Sequence, residues 1–165
     1  MKVIDNFISS EQFHSIQSIM LGPNFSWNYS DGIVGPDDPP GTFQFNHTFY
    51  CAHGVTPCPE KVIQSSWLSI LDPVVKKLGD KMWRIKANMG PRTHEIRRNK
   101  FHIDFPNIIT AVYYINTNNG WTEFKNGGKV KSVANRMIMF DTTLSHRGVS
   151  CTDEKRRMVV NFNWE

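Results

Sequence analysis

The chain has few cysteines and no long apolar run. Only 3 cysteines occur among its 165 residues, and such a small, odd number argues against the disulfide framework of a small secreted domain. Residues 1–13 contain no apolar stretch long enough for a signal peptide or a membrane span. We therefore predict a cytoplasmic protein that has no membrane partner.

An excess of charge of one sign is also missing. The 19 Lys and Arg residues against 15 Asp and Glu give a formal net charge of +4, and the basic residues are scattered. The densest basic group, residues 155–157, is too short to indicate a nucleic-acid-binding patch. Nucleic acid is therefore disfavoured as a partner, although the basic segment 92–100 leaves a non-catalytic nucleic-acid-binding module open as an alternative.

Two further chemistries lack residues that they need. Ser145 is not part of a Gly-x-Ser-x-Gly motif, so a nucleophilic serine is not supported. Cys51, His53 and Cys58 resemble part of a zinc knuckle, but no fourth ligand stands at a suitable spacing. We predict neither nucleophilic catalysis nor a structural zinc ion.

The first half of the chain carries helical patterns. Ser9 and Gln12 have capping-box spacing, and apolar residues then recur at helical intervals. A second helix is predicted to begin at Pro59 and to end near Gly79. Between them lie a loop at 32–41, rich in proline and glycine, and an alternating strand at 43–49.

Beyond residue 82 the pattern changes to short strands separated by turns rich in Asn and Gly. Helices followed by many short strands favour a mostly β fold, an antiparallel barrel or jelly roll with helices packed on one sheet. We expect one domain over 1–165, with a helical part at about 1–80 and a β core at about 82–165. The predicted strands are 83–88, 95–104, 108–115, 121–124, 130–131, 135–140 and 157–164.

A histidine and an aspartate stand two residues apart in one predicted strand. His102 and Asp104 should therefore face the same way. Together with a second imidazole they would form the two-His-one-carboxylate triad of non-haem Fe(II) oxygenases. His146 is the best-placed third ligand, because it follows several strands later and can return to the same face. A metal-dependent hydrolase would use the same ligands and stays open, and a surface ion pair would explain the His-x-Asp pattern alone.

The last predicted strand has a polar face. Its apolar residues face one side, whereas Arg157 and Asn161 face the other. An inward guanidinium needs a planar anionic partner, and Asp104 is the only acid expected nearby. We therefore predict that a bound carboxylate meets Arg157. Arg156 is the competing candidate, although alternation places it on the apolar side.

The strand at 108–115 faces the same interior with two hydroxyl groups. Its apolar residues alternate with Thr110 and Tyr114. Both hydroxyls could bind the carboxylate that we expect at Arg157. The simpler interpretation of Tyr114 is an interior aromatic residue.

In this order the residues resemble the prolyl-4-hydroxylase-like branch of the Fe(II)/2-oxoglutarate-dependent dioxygenases. The resemblance covers most of the chain and is strongest from about residue 84 to the end. The residues that carry it are Val3-Ile-Asp-Asn-Phe7, His102-x-Asp104, Thr110-Ala-Val-Tyr-Tyr-Ile-Asn116, Gly120-Trp-Thr122-Glu-Phe124, Asn135-Arg-Met-Ile-Met-Phe140, His146 and Arg157.

The resemblance implies a double-stranded β-helix that holds Fe(II), 2-oxoglutarate and O2. The three metal ligands would be those named above. The far carboxylate of 2-oxoglutarate would meet Arg157, with Tyr114 beside it, and Asn88 would line the cosubstrate pocket. The implied reaction decarboxylates 2-oxoglutarate to succinate and usually hydroxylates an unactivated C–H bond, with ascorbate as reductant.

The substrate is not identified by the sequence. A peptide, an amino acid or another small molecule fits the implied chemistry equally well, and oligomeric state is not indicated. Segments 32–41 and 91–100 are predicted to determine specificity, because mobile segments often cover such sites.

Overall fold

The computed structural model describes residues 1–35, 38–52, 54, 61–79 and 81–165. Within these ranges two α-helices, one 3-10 helix and eleven strands are formed. The elements are β1 (Lys2–Ile4), α1 (Ser10–Leu21), β2 (Asn28–Asp31), β3 (Phe43–Cys51), β4 (Ile63–Gln64), the 3-10 helix (Leu68–Leu71), α2 (Asp72–Leu78), β5 (Met82–Pro91), β6 (Ile109–Tyr114), β7 (Trp121–Phe124), β8 (Lys129–Lys131), β9 (Met137–Asp141), β10 (His146–Val149) and β11 (Arg156–Trp164).

The strands form two antiparallel sheets. The large sheet has the order β1-β9-β6-β11-β5-β3-β2, with β4 paired to β3, and the small sheet has the order β10-β7-β8. Two facing antiparallel sheets with interleaved strand order are the architecture of a jelly roll, or double-stranded β-helix. The mostly β fold with flanking helices that the sequence predicted is confirmed.

The helices cover the outer face of the large sheet. The Ser9 hydroxyl caps α1 by accepting a hydrogen bond from the backbone N–H of Gln12, as the capping-box spacing predicted. Phe13, Ile16 and Met20 then pack in the main core with the outward side chains of β11. This confirms the predicted outer face of the last strand. That face consists of Met158, Val160, Phe162 and Trp164.

A second apolar cluster lies between the two sheets. It joins Val112 and Tyr114 of β6 to Phe124 of β7 and Val159 of β11, with Phe140 of β9. This cluster fills part of the space between the sheets. Polar side chains of β5 and β11 line the cavity in the rest of that space.

Several predicted elements differ from the observed ones. Residues 95–104 are not a continuous strand, and only Arg98 and His102 form isolated bridges to β10. The strands β2 and β10 were not predicted, and Ile63–Gln64 is a strand where a helix was expected. The helical part at 1–80 also contributes four strands to the large sheet. Pro59, the predicted start of the second helix, lies outside the described residues.

The cysteines do not form a metal site that the structure can describe. Cys51 is disulfide-bonded, whereas Cys151 is a buried free thiol. The zinc knuckle considered above includes His53 and Cys58, which lie outside the described residues. In the described part of the chain, no helix is both long and apolar enough to cross a membrane.

Candidate active site

Three possible metal ligands meet at the mouth of the space between the sheets. One ligand atom each from His102, Asp104 and His146 lies within 4.8 Å of the others. His102 and His146 exchange both backbone hydrogen bonds, each with an N···O distance of 2.9 Å. Residues paired in this way across antiparallel segments point their side chains to the same face, and the two imidazole centroids are 4.6 Å apart.

The imidazole of His146 is buried and neutral. Burial, then the neighbouring His102, lowers the pKa of His146 to about 4, although Asp104 acts in the opposite direction. The backbone of Leu144 also acts to raise this pKa, yet Nδ1 has no partner at hydrogen-bond geometry among the described residues. A neutral imidazole is the form that binds a metal.

The ring of His102 is oriented by the chain next to it. Its Nδ1 lies 3.3 Å from the carbonyl oxygen of Lys100, so a proton on Nδ1 can be donated to that oxygen. The lone pair of Nε2 is then free. This nitrogen lies 3.9 Å from Oδ1 of Asp104, which places both donor atoms on one side of the site.

Asp104 is held in its ionised form by β5 and β11. Arg84 donates to Oδ1 at 3.1 Å, and the Asn163 amide donates to Oδ2 at 3.2 Å. Burial acts to raise the pKa of Asp104, but Arg84, His146, Asn163 and His102 together lower it below its ordinary value. A carboxylate is therefore fixed beside two imidazoles.

Thr110, predicted to bind a carboxylate ligand together with Arg157, contacts the residue that supports the Asp104 carboxylate. Its hydroxyl is fully buried and accepts a hydrogen bond of 3.0 Å from the same Asn163 amide that binds Asp104. Thr110 pairs with Asn163 in register, whereas Tyr114 pairs with Val159, near the other end of β11. The two hydroxyls of β6 therefore belong to different ends of the site.

Arg157 lies at the opposite end, among hydroxyl groups. Its Nε donates to Ser132 Oγ at 3.1 Å and its Nη2 donates to Thr122 Oγ1 at 3.1 Å. Burial lowers the pKa of Arg157, while Tyr114 and Cys151 act to raise it. No carboxylate of the described residues forms an ion pair with this guanidinium. A buried guanidinium without an anion is costly, so the arrangement calls for an anionic ligand.

Tyr114 shares this pocket. Its hydroxyl donates to Thr122 Oγ1 at 2.7 Å, and its ring centroid lies 5.7 Å from the Arg157 guanidinium carbon. Burial raises the pKa of Tyr114, although Arg157 and Thr122 oppose the shift. The phenol is therefore a neutral hydrogen-bonding group next to the guanidinium.

Two glycines make room for the Arg157 side chain. A Cβ on Gly120 would stand 2.9 Å from the Arg157 Cδ and 2.7 Å from the Val149 carbonyl oxygen. A Cβ on Gly148 would stand 3.4 Å from Nη1. Any larger residue at position 120 would displace either the guanidinium or the strand beneath it.

One cavity of about 300 Å³ connects the two ends of the site. Arg157 and all three metal-ligand candidates line it. Gly148, which lies beside the guanidinium, is two residues from His146 on β10. Two residues of a strand span about 7 Å, a separation that suits a small dicarboxylate reaching from the metal site to the guanidinium.

The remaining predicted residues divide between the two faces of the large sheet. Asn88 and Asn161 line the cavity, and the Oδ1 atom of Asn161 is buried without a partner among the described residues. Arg156 is not among the residues that line the cavity, and its Nη1 lies 3.8 Å from the Met89 sulfur. Because neighbouring residues of a strand face opposite sides, Arg157 faces the cavity and Arg156 faces away from it.

A groove of about 470 Å³ adjoins this cavity. The loop at 38–43 forms one wall, and residues from 90 to 99 form the other. Asp38 orders the loop by accepting hydrogen bonds from the backbone N–H groups of Ile33, Val34 and Gly35. Residues of the two segments predicted to determine specificity thus line the groove beside the site.

Sequence reasoning missed the residues that support the site. Arg84 and Lys86 line the cavity, and both stand on the inward face of β5 with Asn88. The period-2 alternation of 83–88 was a signal for this face. Thr122 belongs to the run at 120–124 that carries the family resemblance, and Ser132 belongs to no motif, but the contacts of both with Arg157 depend on tertiary structure.

Comparisons with known proteins identify the architecture. No protein-family model matches the sequence, and no curated protein matches it. A prolyl-4-hydroxylase from Pseudomonas putida superposes with a TM-score of 0.64 at 10% identity, over 99% of this chain and 91% of the other. An oxidoreductase of the 2OG-Fe(II) oxygenase family from Burkholderia pseudomallei gives a TM-score of 0.66 at 7% identity, over 99% and 84%.

A third solved structure was determined with a peptide. The prolyl hydroxylase from Trichoplax adhaerens, in complex with a hypoxia-inducible-factor peptide fragment, superposes with a TM-score of 0.57 at 16% identity, over 99% of this chain and 82% of the other. At these identities the likeness concerns the fold. The resemblance seen in the sequence is confirmed at that level: this chain has the fold of prolyl-4-hydroxylases and other 2OG-Fe(II) oxygenases.

Proposed function

We propose that the protein is a non-haem Fe(II)- and 2-oxoglutarate-dependent dioxygenase that hydroxylates a C–H bond of a small molecule, amino acid or peptide. One observation carries the proposal. The same cavity contains a two-His-one-carboxylate set at one end and a guanidinium without an anionic partner at the other. The fold shared with 2OG-Fe(II) oxygenases supports it.

The residues present fit both Fe(II) and 2-oxoglutarate. A buried neutral imidazole with an unpartnered nitrogen, a second imidazole and an ionised carboxylate are the donor set that suits ferrous iron. His102, Asp104 and His146 would hold the metal. When bound, ferrous iron would activate O2, and 2-oxoglutarate would supply two of the four electrons that O2 takes up, with release of succinate and carbon dioxide; the substrate C–H bond would supply the other two.

The side chains of the cavity bind the cosubstrate and hold the metal-ligand candidate Asp104 in place. Arg157 is prepared for a carboxylate, because Thr122 and Ser132 fix its guanidinium and charge-assisted hydrogen bonds are strong in a buried site. Tyr114 supplies a neutral hydroxyl beside it. Arg84 and Asn163 hold Asp104 ionised and stationary, so the carboxylate needs no reorganisation when a metal enters.

The hydrolase alternative gains no support from the site. Metal-dependent hydrolases commonly place a general base beside the metal-bound water. Asp104, already bound by Arg84 and Asn163, is the only acidic residue of the described chain that lines the cavity.

The direct test is succinate formation from 2-oxoglutarate with Fe(II) and ascorbate. We expect slow turnover without substrate in the wild type and at least a hundredfold loss in His102→Ala. His14→Ala, a change at an exposed position of α1, is the matched control and should retain wild-type turnover. Absence of both succinate formation and metal-dependent 2-oxoglutarate binding in the wild type would refute the proposal.

A further inference from the structure

A lysine faces the cavity with no use in the proposed reaction. Lys86 lies in the centre of β5, where it pairs in register with Asn161 on β11 and with Thr48 on β3. Like Arg84 and Asn88 on the same face, it lines the cavity next to the metal-ligand candidates. Its side chain is partly buried, and among the described residues its ammonium forms neither an ion pair nor a hydrogen bond.

The neighbouring charges do not satisfy this ammonium. Burial and the positive charge of Arg84 lower the pKa of Lys86, and Asp104 only partly compensates. Asp104 already has Arg84 as its partner at 3.1 Å. A cation kept beside another cation, without its own counter-ion, is unfavourable unless a ligand supplies the anion.

The cosubstrate does not account for Lys86. One carboxylate of 2-oxoglutarate is assigned to Arg157 and the other end to the metal. Lys86 stands four residues along β5 from Gly90, the register partner of Arg157, and four residues of a strand span about 13 Å. Arg157 extends toward Thr122 and Ser132, whereas Lys86 enters the cavity opposite Asn161, so Lys86 is placed for a second anion.

The surroundings of Lys86 indicate what else that molecule carries. Asn161, its register partner, has a buried amide oxygen without a partner among the described residues, which suits a ligand N–H or O–H group. Three aliphatic side chains, Ile33, Val34 and Ile103, also line the cavity, and Val34 and Ile103 are exposed at its rim. The cavity of about 300 Å³ must also contain the cosubstrate, so the reacting part of the substrate is small.

We propose, on the basis of the function proposed above, that Lys86 binds the carboxylate of the primary substrate, and that this substrate is a small aliphatic carboxylic acid such as an amino acid. Asn161 receives its amino or hydroxyl hydrogen. The apolar rim contacts its side chain. Lys86 is thus a specificity-determining residue, and the metal ligands and Arg157 are not part of this second carboxylate site.

The test compares matched acids and amides. The twenty amino acids and short aliphatic acids are each assayed beside their primary amides for stimulation of succinate formation by the wild type. At least one acid should stimulate turnover, and its amide should have at least tenfold lower kcat/KM, since a lost charge-assisted hydrogen bond costs about tenfold or more. No stimulating acid in the panel, or equal stimulation by the amide, would overturn the inference.

Variants of Lys86 then separate substrate binding from cosubstrate binding. Lys86→Met should raise the KM for the acid at least tenfold and the KM for the cosubstrate less than twofold, and Lys86→Arg should recover part of the acid binding. Lys81→Met, at an exposed position, serves as the control. A larger change in the KM for the cosubstrate than in the KM for the acid would overturn the inference. Wild-type succinate formation without any preference for acids would refute this inference alone and leave the proposed function intact.

Discussion

At the residue scale, the two adjacent arginines of β11 carry the same side chain but face opposite sides of the large sheet and contact different residues. Arg157 reaches Thr122 and Ser132 inside the cavity, whereas Arg156 contacts Met89 on the other side of the sheet. Substitution of the first should therefore weaken cosubstrate binding, and substitution of the second should not. This pair provides an internal control within one strand.

We expect Arg157→Met to raise the dissociation constant for the cosubstrate, measured by calorimetry with Mn(II) in place of iron, by about 10- to 100-fold. The reason is the loss of charge-assisted hydrogen bonds, each contributing about 1.5–3 kcal/mol. Arg156→Met should stay within about twofold of wild type. Equal effects of the two changes would contradict the assignment of Arg157.

The buried imidazole of His146 predicts a pH-dependent stability in the metal-free protein. Its pKa is lowered from 6.5 to about 4 in the folded chain, so between these values the unfolded chain binds more protons. The free energy of unfolding should therefore fall as the pH falls from about 6.5 to about 4, by up to about 3 kcal/mol from this group.

Urea titrations at a series of pH values measure this slope. His146→Gln should flatten it, and His14→Gln should keep it, because His14 is exposed. Burial also lowers the pKa of His47, but that residue is present in all three proteins and cancels in the comparison. An unchanged slope in His146→Gln would show that another group is responsible.

At the element scale, the loop before β3 depends on one carboxylate. Asp38 accepts three backbone hydrogen bonds, from Ile33 at 2.6 Å, Val34 at 2.7 Å and Gly35 at 3.2 Å. These hydrogen bonds lower the pKa of Asp38, although burial opposes them. The ordered turn brings Ile33 and Val34 to the cavity mouth.

We expect Asp38→Ala to accelerate amide hydrogen exchange at residues 33–35 by at least tenfold, because each N–H loses a charged acceptor. Exchange in β6 and β11 should not change. Asp141 likewise accepts a local backbone hydrogen bond, from the N–H of Thr143, so Asp141→Ala is the matched control. It should leave amide exchange at residues 33–35 slow. Slow exchange of that loop in Asp38→Ala would mean that other contacts order it.

Most elements could be predicted from alternation, and the exceptions have physical causes. The strand β11 was identified because apolar and polar residues alternate over its length. Segment 95–104 was predicted as a strand, yet it makes only the bridges at Arg98 and His102. Backbone hydrogen bonds join it to β10 and Ser150 only at a few positions, including Arg97 and Asn99, and the Ser150 hydroxyl adds a bond from the Arg97 N–H. The strand β10 was missed because its sequence, His-Arg-Gly-Val, contains a single apolar side chain and therefore no apolar alternation.

The candidate site shows the same division. His102, Asp104 and His146 could be named because residue type and order point to a metal triad. Thr110 was predicted to share a carboxylate ligand with Arg157, because alternation gives the face of a side chain but not its position along the sheet, and it pairs with Asn163 instead. Arg84 was missed because an ion pair between β5 and the segment after it depends on tertiary structure.

At the scale of the whole molecule, the metal ion and 2-oxoglutarate should each stabilise the fold, and stabilisation by 2-oxoglutarate should depend on the metal ion being bound first. Mn(II) followed by 2-oxoglutarate, each at about 100 times its dissociation constant, should each add about 2.7 kcal/mol. For a chain of this size that corresponds to a rise in Tm of about 5–10 °C per ligand. Differential scanning fluorimetry measures both steps.

The order of addition distinguishes the functional alternatives. In His102→Ala the rise in Tm on adding Mn(II) should disappear, and 2-oxoglutarate at the same concentration should then change the Tm little. A hydrolase would show a rise in Tm with the metal ion but none with 2-oxoglutarate. Stabilisation by 2-oxoglutarate that is independent of any metal would contradict a cavity shared by the two ligands.

The reciprocal backbone pairing of His102 and His146 has a mechanical consequence. An ion bound by both rings would cross-link the segment at 98–104 to β10, the edge strand of the small sheet. Removal of the ion by a chelator should therefore loosen this segment and leave the large, helix-covered sheet folded. The rate of proteolytic cleavage near Phe101 would then report metal occupancy without substrate or oxygen.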